Sequence, residues 1–333
     1  LSDTSGVDKT QKWRPLLLLL LVDLYGAFMV AYLFLRLISG DRFWVVELFS
    51  TVAHWFLLLS FVFLPLAFIR RRWGTLGMLL VNSTAFVFLF GGLFLPGLSG
   101  QKACQVPKSV SLRVMTYNIS HGLASSAALV DVMERSGAEI IALQELPSGQ
   151  TDIVREKLKD LYPHQVFYGK GFSGIALLSQ YPILDEESFR LGGPRPYLRA
   201  KVDVEGEPVK VFVAHPVVRM GPGSHDAPGR SDMQTLAEMA LGEGKTILLG
   251  DFNFTDQNQG YRVLTRAGLV DAHRSAGWGL GLTYPKKGWS GGVRLPLVRI
   301  DFVFLAGEVC AQRAWVGEDG GSDHLPVLAD VAW

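Results

Sequence analysis

Three apolar runs, at residues 15–38, 43–69 and 76–98, constrain the fold of this 333-residue chain more than any motif in it. Each reaches the roughly 20 residues needed to cross a hydrocarbon core of about 30 Å, so each is predicted to be a transmembrane helix. Composition changes sharply near residue 100, from mostly Leu, Phe, Val and Ala to an ordinary globular mixture. Lys9, Lys12 and Arg14 ahead of a leucine run also resemble the start of a signal peptide. No small-x-small cleavage site follows and two more spans do, which favours an anchor. Cationic flanks set the orientation. Lys9, Lys12 and Arg14 precede the first span, and Arg70, Arg71 and Arg72 separate the second from the third. Both clusters are expected on the cytoplasmic side, although Arg36 and Arg42 near the Gly40 turn reduce the contrast. Three spans then place everything after Leu98 outside the cytoplasm. Asp23, Glu47, His54 and Asn82 fall in or near the spans without a repeated polar face, so Asp23 and His54 are expected to pair with neighbouring helices and Glu47 to snorkel. The expected organisation is a cytoplasmic tail over 1–14, an anchor over 15–98, a linker over 99–111 and a soluble domain over 112–333.

The soluble domain alternates strand and helix patterns. Residues 112–117 alternate apolar and polar, as a half-buried strand does. Buried strands are predicted at 139–143, 174–178, 198–204, 209–214, 245–249 and 299–304, with a last one after Pro326. Helical spacing predicts helices over 127–135, 151–161, 231–241 and 261–267. Strands clustering late suggest mixed sheets with helices on their outer faces. Residues 217–229 form a loop rich in Gly and Pro, of the length that usually carries function. The two cysteines, Cys104 and Cys310, make no Cys-x-x-Cys. An oxidising compartment would permit a bridge between them, provided the fold brings their Cα atoms within about 4.4–6.8 Å.

The chemistry sits at the ends of these strands. Gly250-Asp251-Phe252-Asn253 closes an apolar run with a carboxylate and, two residues on, an amide. Residues two apart in a strand point to the same side, so Asp251 and Asn253 can converge on one small object. Alone, Asp-x-Asn is more often a turn. Other runs end alike, in Asn118, Glu145, His215, Asp301, and Asp323 with His324. Four carboxylates, two amides and two histidines without a thiolate suit Mg²⁺, Mn²⁺ or Ca²⁺ better than zinc or copper. With no nucleophilic Ser or Cys motif, water activated beside a metal is the natural chemistry. Singly, each residue is explained as easily by a turn, a cap or a solvated strand end; jointly, in order, they are not.

Tyr117-Asn118-Ile119, Gln144-Glu145, Gly250-Asp251-Phe252-Asn253, Arg299-Ile300-Asp301-Phe302 and Ser322-Asp323-His324-Leu325-Pro326 closely resemble the endonuclease/exonuclease/phosphatase superfamily. Softer matches are residues 173–179, His215, the pair Arg230 and Gln234, and Thr283-Tyr284-Pro285. The resemblance covers roughly residues 112–333. It implies a four-layer α/β sandwich, two packed β-sheets flanked by helices, here preceded by three transmembrane helices. It further implies Glu145 as principal metal ligand, with Asn118 and Asp323 close to the ion. Asp251 would orient or deprotonate the attacking water, and Asn253 would position phosphate and water. His324, backed by Asp301, and His215 would contact phosphoryl oxygens. The split of acid and base roles between Asp251 and His324 stays open.

The leading expectation is a membrane-anchored, divalent-metal-dependent phosphodiesterase or phosphatase acting by water attack outside the cytoplasm, with Mg²⁺ or Mn²⁺, or else Ca²⁺. The alternative on the same fold is an anchored extracytoplasmic endo- or exonuclease. A non-catalytic tether is disfavoured because every element of the constellation is present. From Gln101 onward the chain carries 24 Lys and Arg against 26 Asp and Glu, a net charge of −2, without the basic excess of a duplex-binding domain. Arg195, Arg199, Arg219, Arg230, Lys286 and Lys287 remain candidates to line the site. A linker of about a dozen residues reaches only about 40 Å, which keeps the domain beside the bilayer. A lipid head group or small phosphoester is therefore favoured over nucleic acid as substrate, with membrane lipids as the anchor's partners. No feature identifies a protein partner.

Overall fold

The computed structural model describes residues 9–40, 43–95, 104, 110–120, 123–217, 228–242, 244–286 and 295–333. The side chains of residues 9–15 and 228–230 lie outside that description, as do most of the linker, the loop from 218, Arg42, Arg219, Arg230's side chain and Lys287.

The chain divides into two compact units, residues 1–90 and 91–333. In the first, α1 (Lys9–Ser39), α2 (Trp44–Ile69) and α3 (Trp73–Phe94) are the three apolar helices long enough to cross a membrane. The third starts earlier than its pattern predicts and stops at Phe94, because Pro96 disfavours helical geometry at the residue before it. Asp23 pairs with Arg72 and Thr75, and the His54 ring packs against Phe90. Tyr32 and Ser50 share a hydrogen bond of 2.9 Å. Asp23, Tyr32, Ser50 and His54 thus find partners within the unit, whereas the buried Asn82 amide and Ser83 hydroxyl of α3 have no hydrogen-bond partner among the described residues.

The second unit contains β1 (Ser111–Asn118), α4 (Ser126–Ser136), β2 (Ile140–Gln144), α5 (Ser148–Lys157), β3 (His164–Tyr168), β4 (Ile175–Ser179), β5 (Ile183–Phe189), β6 (Tyr197–Val204) and β7 (Glu207–Ala214). There follow α6 (Pro228–Ala240), β8 (Lys245–Asp251), α7 (Gln259–Ala267), β9 (Val270–Asp271), α8 (Ala272–Ala276), β10 (Asp301–Ala306), β11 (Cys310–Val316) and β12 (Val327–Ala332). The strands form two six-stranded sheets, ordered β11-β12-β1-β2-β4-β3 and β5-β6-β7-β8-β10-β9. Pairs β1–β2 and β7–β8 are parallel and the other pairs antiparallel.

Alternation along the strands builds the layers. Val114, Ile140, Leu177, Val211, Leu249 and Val303 meet in one buried cluster between the sheets. The opposite parity of the first sheet packs Met115, Ile141 and Leu178 against Leu129, Val132 and Met133 of α4 and Val154 of α5. The second sheet packs Phe212, Leu248 and Phe304 against Met233 and Leu236 of α6 and Leu264 of α7. The result is the expected helix–sheet–sheet–helix sandwich. Four strands escape the hydrophobic pattern, β3, β5, β9 and β11, and they are the four sheet edges. A disulfide joins Cys104 to Cys310 of β11 with a Cα separation of 5.3 Å.

Candidate active site

The same parity carries on to the strand ends. In β1, Leu112 and Val114 face the other sheet, so Asn118 does too; in β8, Ile247 and Leu249 carry Asp251 with them. His215 follows Val211 and Val213 of β7, and Asp301 shares the parity of Val303 and Leu305 in β10. The apolar layer between the sheets therefore becomes polar at one end. Asp251 and Asp301 are directly opposed in the β8–β10 ladder.

Hydrogen bonds join these ends. Asn118 Nδ2 donates to Asp251 Oδ2 at 2.8 Å across the two sheets, while its Oδ1 accepts from Ser120 N at 2.8 Å. Asp251 Oδ1 accepts from Asn253 N at 2.9 Å. Asn253 has φ +55°, which turns the chain out of the strand, and its amide donates to Pro216 O at 3.2 Å. Glu145 has φ +58°, a conformation uncommon for a residue with a Cβ. His215 Nε2 lies 3.4 Å from Asp251 Oδ2 and 3.6 Å from Glu145 Oε1. His324 Nδ1 contacts both oxygens of Asp301, at 3.0 and 3.2 Å. Its Nε2 lies 3.9 Å from Asp251 Oδ2 and 4.0 Å from Asp323 Oδ1. Ser322 fixes this segment: its hydroxyl donates to Asn118 O at 2.8 Å and accepts from His324 N at 3.2 Å. All eight residues singled out from the sequence thus meet in one place.

Two further residues join them. Arg195, in the loop before β6, sets its Nη1 against His215 Nε2 and its Nη2 3.6 Å from Glu145 Oε1. In sequence it was one loop arginine among several, flanked by prolines, with nothing to set it apart. Tyr284 places its ring 4.6 Å from that of His324. Arg199 is elsewhere, bonded to Glu187 at 2.6 Å where β5 pairs with β6. Gln234 bonds Glu238 on an exposed stretch of α6 rather than a site residue.

Electrostatics divides the roles. Burial pushes the Asp251 carboxyl up, but the charges of His324 and His215 and the Asn118 amide outweigh it and hold Asp251 well below the usual carboxylate range. Burial works against a charged His324, yet Asp301 and Asp251 raise it to about 9. Burial also raises Asp301, against the opposing pull of His324. Tyr284 is raised by burial and then by the charges of Asp323, Asp251 and Glu145, so its hydroxyl lies in their field.

The donor set fits a hard divalent cation. Oxygens of Asp251 and Asp301 and a nitrogen of His324 lie within 4.8 Å of one another, close enough to share one ion. Its two carboxylates are hard oxygen donors of the kind such a cation takes, while its imidazole is a softer ligand. Glu145 adds a third carboxylate: it accepts no hydrogen bond among the described residues, and nitrogens of Arg195 and His215 stand 3.6 Å away. Asp323 and the Oδ1 of Asn118 offer further oxygen donors of the kind Mg²⁺ or Mn²⁺ takes.

A sequence model of the endonuclease/exonuclease/phosphatase family matches residues 115–324. Similar solved structures include an endonuclease/exonuclease/phosphatase from Bacteroides vulgatus, 19% identical, with a TM-score of 0.56 over 67% of this chain and 99% of that one. A truncated TDP2 of Caenorhabditis elegans is 18% identical, with a TM-score of 0.55 over 68% of this chain and 99% of that one. A mannosyl-6-phosphatase of Bacteroides thetaiotaomicron is 17% identical, with a TM-score of 0.54 over 67% of this chain and 100% of that one. No curated protein matches the chain.

Proposed function

Because the chain belongs to the endonuclease/exonuclease/phosphatase family of phosphoester hydrolases, we propose that it is a membrane-anchored, divalent-metal-dependent phosphodiesterase or phosphatase acting outside the cytoplasm on lipid head groups or small phosphoesters. The carrying observation is the hydrogen bond from Asn118 to Asp251, which joins the two sheets at the point where Glu145, His215 and His324 also converge.

Glu145, Asn118 and Asp323 would hold the cation, which neutralises phosphoryl oxygens and makes water a better nucleophile when bound. Asp251 is anionic and fixed by Asn118 and Asn253, so its free lone pairs orient the attacking water and take its proton. His324 is held by Asp301 through Nδ1, leaving Nε2–H to donate to a phosphoryl or leaving-group oxygen. Asn253, His215 and Arg195 supply donors to the remaining oxygens. Positioning and charge neutralisation of this kind carry most of phosphoryl transfer.

The outside location is supported by the Cys104–Cys310 bridge and by the Arg70–Arg72 flank. The preference for lipid or small substrates is supported by the domain's net-acidic charge, by its short tether, and by the phosphatase activity named for one structural neighbour. The full chain reconstituted in vesicles tests the reading. Its kcat/KM on phospholipid vesicles and on bis(p-nitrophenyl) phosphate is compared with that on plasmid and single-stranded DNA, with Mg²⁺, Mn²⁺ or EDTA. Metal-dependent turnover of lipid or small esters above DNA is expected. A large preference for DNA that falls steeply with salt would make it a nuclease, and no turnover of any ester would reject an enzyme. Protease added outside sealed cells should remove the domain; complete protection would reverse the orientation.

A further inference from the structure

Behind the site lies a set of buried charges that the chemistry above does not use. Arg299 has a side chain 5% exposed, and Asp271 one that is fully buried. Arg299 Nη1 donates to Asp271 Oδ1 at 3.1 Å, and Nη2 lies 2.8 Å from Oδ2 at an angle that makes it an ion-pair contact rather than a hydrogen bond. Nη2 also lies 3.6 Å from Asp256 Oδ2, on which Arg274 Nη2 closes at 2.6 Å. Two guanidinium groups and two carboxylates thus balance within one buried cluster. Tyr261 adds its hydroxyl to Asp271 at 3.0 Å, and Asp271 caps α8 through His273 N at 2.9 Å. The Arg299 guanidinium stacks on the Phe302 ring at 4.5 Å.

The position of the cluster matters more than its strength. Arg299 stands two residues before Asp301, and Asp256 stands five after Asp251. One cluster therefore grips both segments that carry the catalytic carboxylates. Between them, Phe252 N donates to Ile300 O at 2.8 Å, extending the ladder in which Asp251 faces Asp301. His324 depends on that spacing, being bonded to Asp301 and 3.9 Å from Asp251. Burying four charges for stability alone is a poor bargain, since apolar residues of similar volume often do as well or better. A rigid, two-pronged guanidinium fork is better suited to fixing one geometry.

We propose that the Arg299–Asp271–Asp256–Arg274 cluster is a positioning clamp that sets the spacing between Asp251 and the Asp301–His324 pair. This rests on the catalytic roles given above for Asp251 and His324.

The test uses the full chain in detergent micelles with bis(p-nitrophenyl) phosphate. Arg299→Lys keeps the charge and loses the fork. Asp271→Asn combined with Arg299→Met removes one ion pair, leaves Asp256 with Arg274, and retains an oxygen to cap α8. A clamp predicts that both proteins fold and that kcat falls by about 30-fold or more with KM within about threefold, because near-attack geometry is lost and binding is not. A purely structural role predicts lower thermal stability with a normal kcat in whatever protein remains folded. If the double variant does not fold, Arg299→Lys alone decides, and a kcat within threefold of wild type overturns the clamp. Wild-type inactivity on this ester and on phospholipid vesicles alike would instead refute the proposed function. Hydrogen exchange then decides the clamp: it requires faster exchange in Arg299→Lys at residues 251–256 and 299–304 with β2 unchanged, and unchanged exchange there refutes it.

Discussion

Replacing Gly250 by alanine should damage the site through the backbone, without touching any catalytic side chain. Gly250 pairs with Ala214 in the parallel β7–β8 ladder, one residue before Asp251 and one before His215 respectively. A Cβ on Gly250 would stand 2.0 Å from Ala214 O and 2.9 Å from its carbonyl carbon, and both are backbone atoms that no rotamer can move. Contacts under 3.0 Å are essentially never seen, so the strands must part or twist by roughly 1 Å at this point. The change falls directly on the 3.4 Å approach of His215 to Asp251 and on the Asn118 bond. A misplacement of that size costs about 100-fold in rate. Overpacking of one methyl costs about 1–3 kcal/mol, which lowers Tm by roughly 2–12 °C in a domain of this size. The assay is kcat on bis(p-nitrophenyl) phosphate beside a thermal melt of the full chain in micelles. Gly149→Ala is the control, because a Cβ there meets nothing within 4 Å. A Gly250→Ala protein with wild-type kcat and Tm would show that the strand spacing does not govern the site.

Three more outcomes are expected. EDTA should abolish turnover and Mg²⁺ or Mn²⁺ restore it, while Glu145→Gln loses metal affinity with an unchanged melt; full activity of Glu145→Gln in chelator would contradict the metal site. His324→Ala should lower kcat at least about 100-fold and Asp301→Asn by less, because Asp301 acts through the imidazole it orients; equal losses measured at saturating substrate would give Asp301 a direct role. Reducing the Cys104–Cys310 bridge, which closes a separation of 206 residues, should cost about 2–5 kcal/mol, seen as a lower Tm with reductant and matched by Cys310→Ser; identical melts would mean that the bridge constrains nothing.

What the sequence made legible follows burial. Strands β1, β2, β7, β8 and β10 are nearly or wholly buried and read as apolar or alternating runs, so their ends and the polar residues there could be located. The four edge strands could not. In β5, Asp185-Glu186-Glu187 is exposed, and in β3 every residue is only partly buried. Such charges keep edges from pairing with other chains and at the same time erase the period-two signal. Arg195 could be named only as one of six basic residues that are candidates to line the site, for a related reason: a loop residue reaches its partners by the path of the chain, which no periodicity encodes. The Cys104–Cys310 pairing joins positions 206 residues apart, and only the docking of Cys104 beside β11, with its N–H on Ala311 O, makes it possible.

Why so many candidate site residues sit at one end has a topological answer. Each sheet contains one parallel pair, β1–β2 and β7–β8, and the strands of a parallel pair finish at the same end. Those four strands lead into Asn118, Glu145, His215 and Asp251. The antiparallel neighbours β10 and β12 begin at that end, and they begin with Asp301 and shortly after His324. Parity then selects the gap between the sheets over the helical faces. A slip of one residue in β8 would carry Asp251 to the side of Leu248, among the apolar contacts of α6 and α7, where an unpaired carboxylate is costly to bury. Register in the central strands is therefore what assembles the candidate site as much as what packs the core.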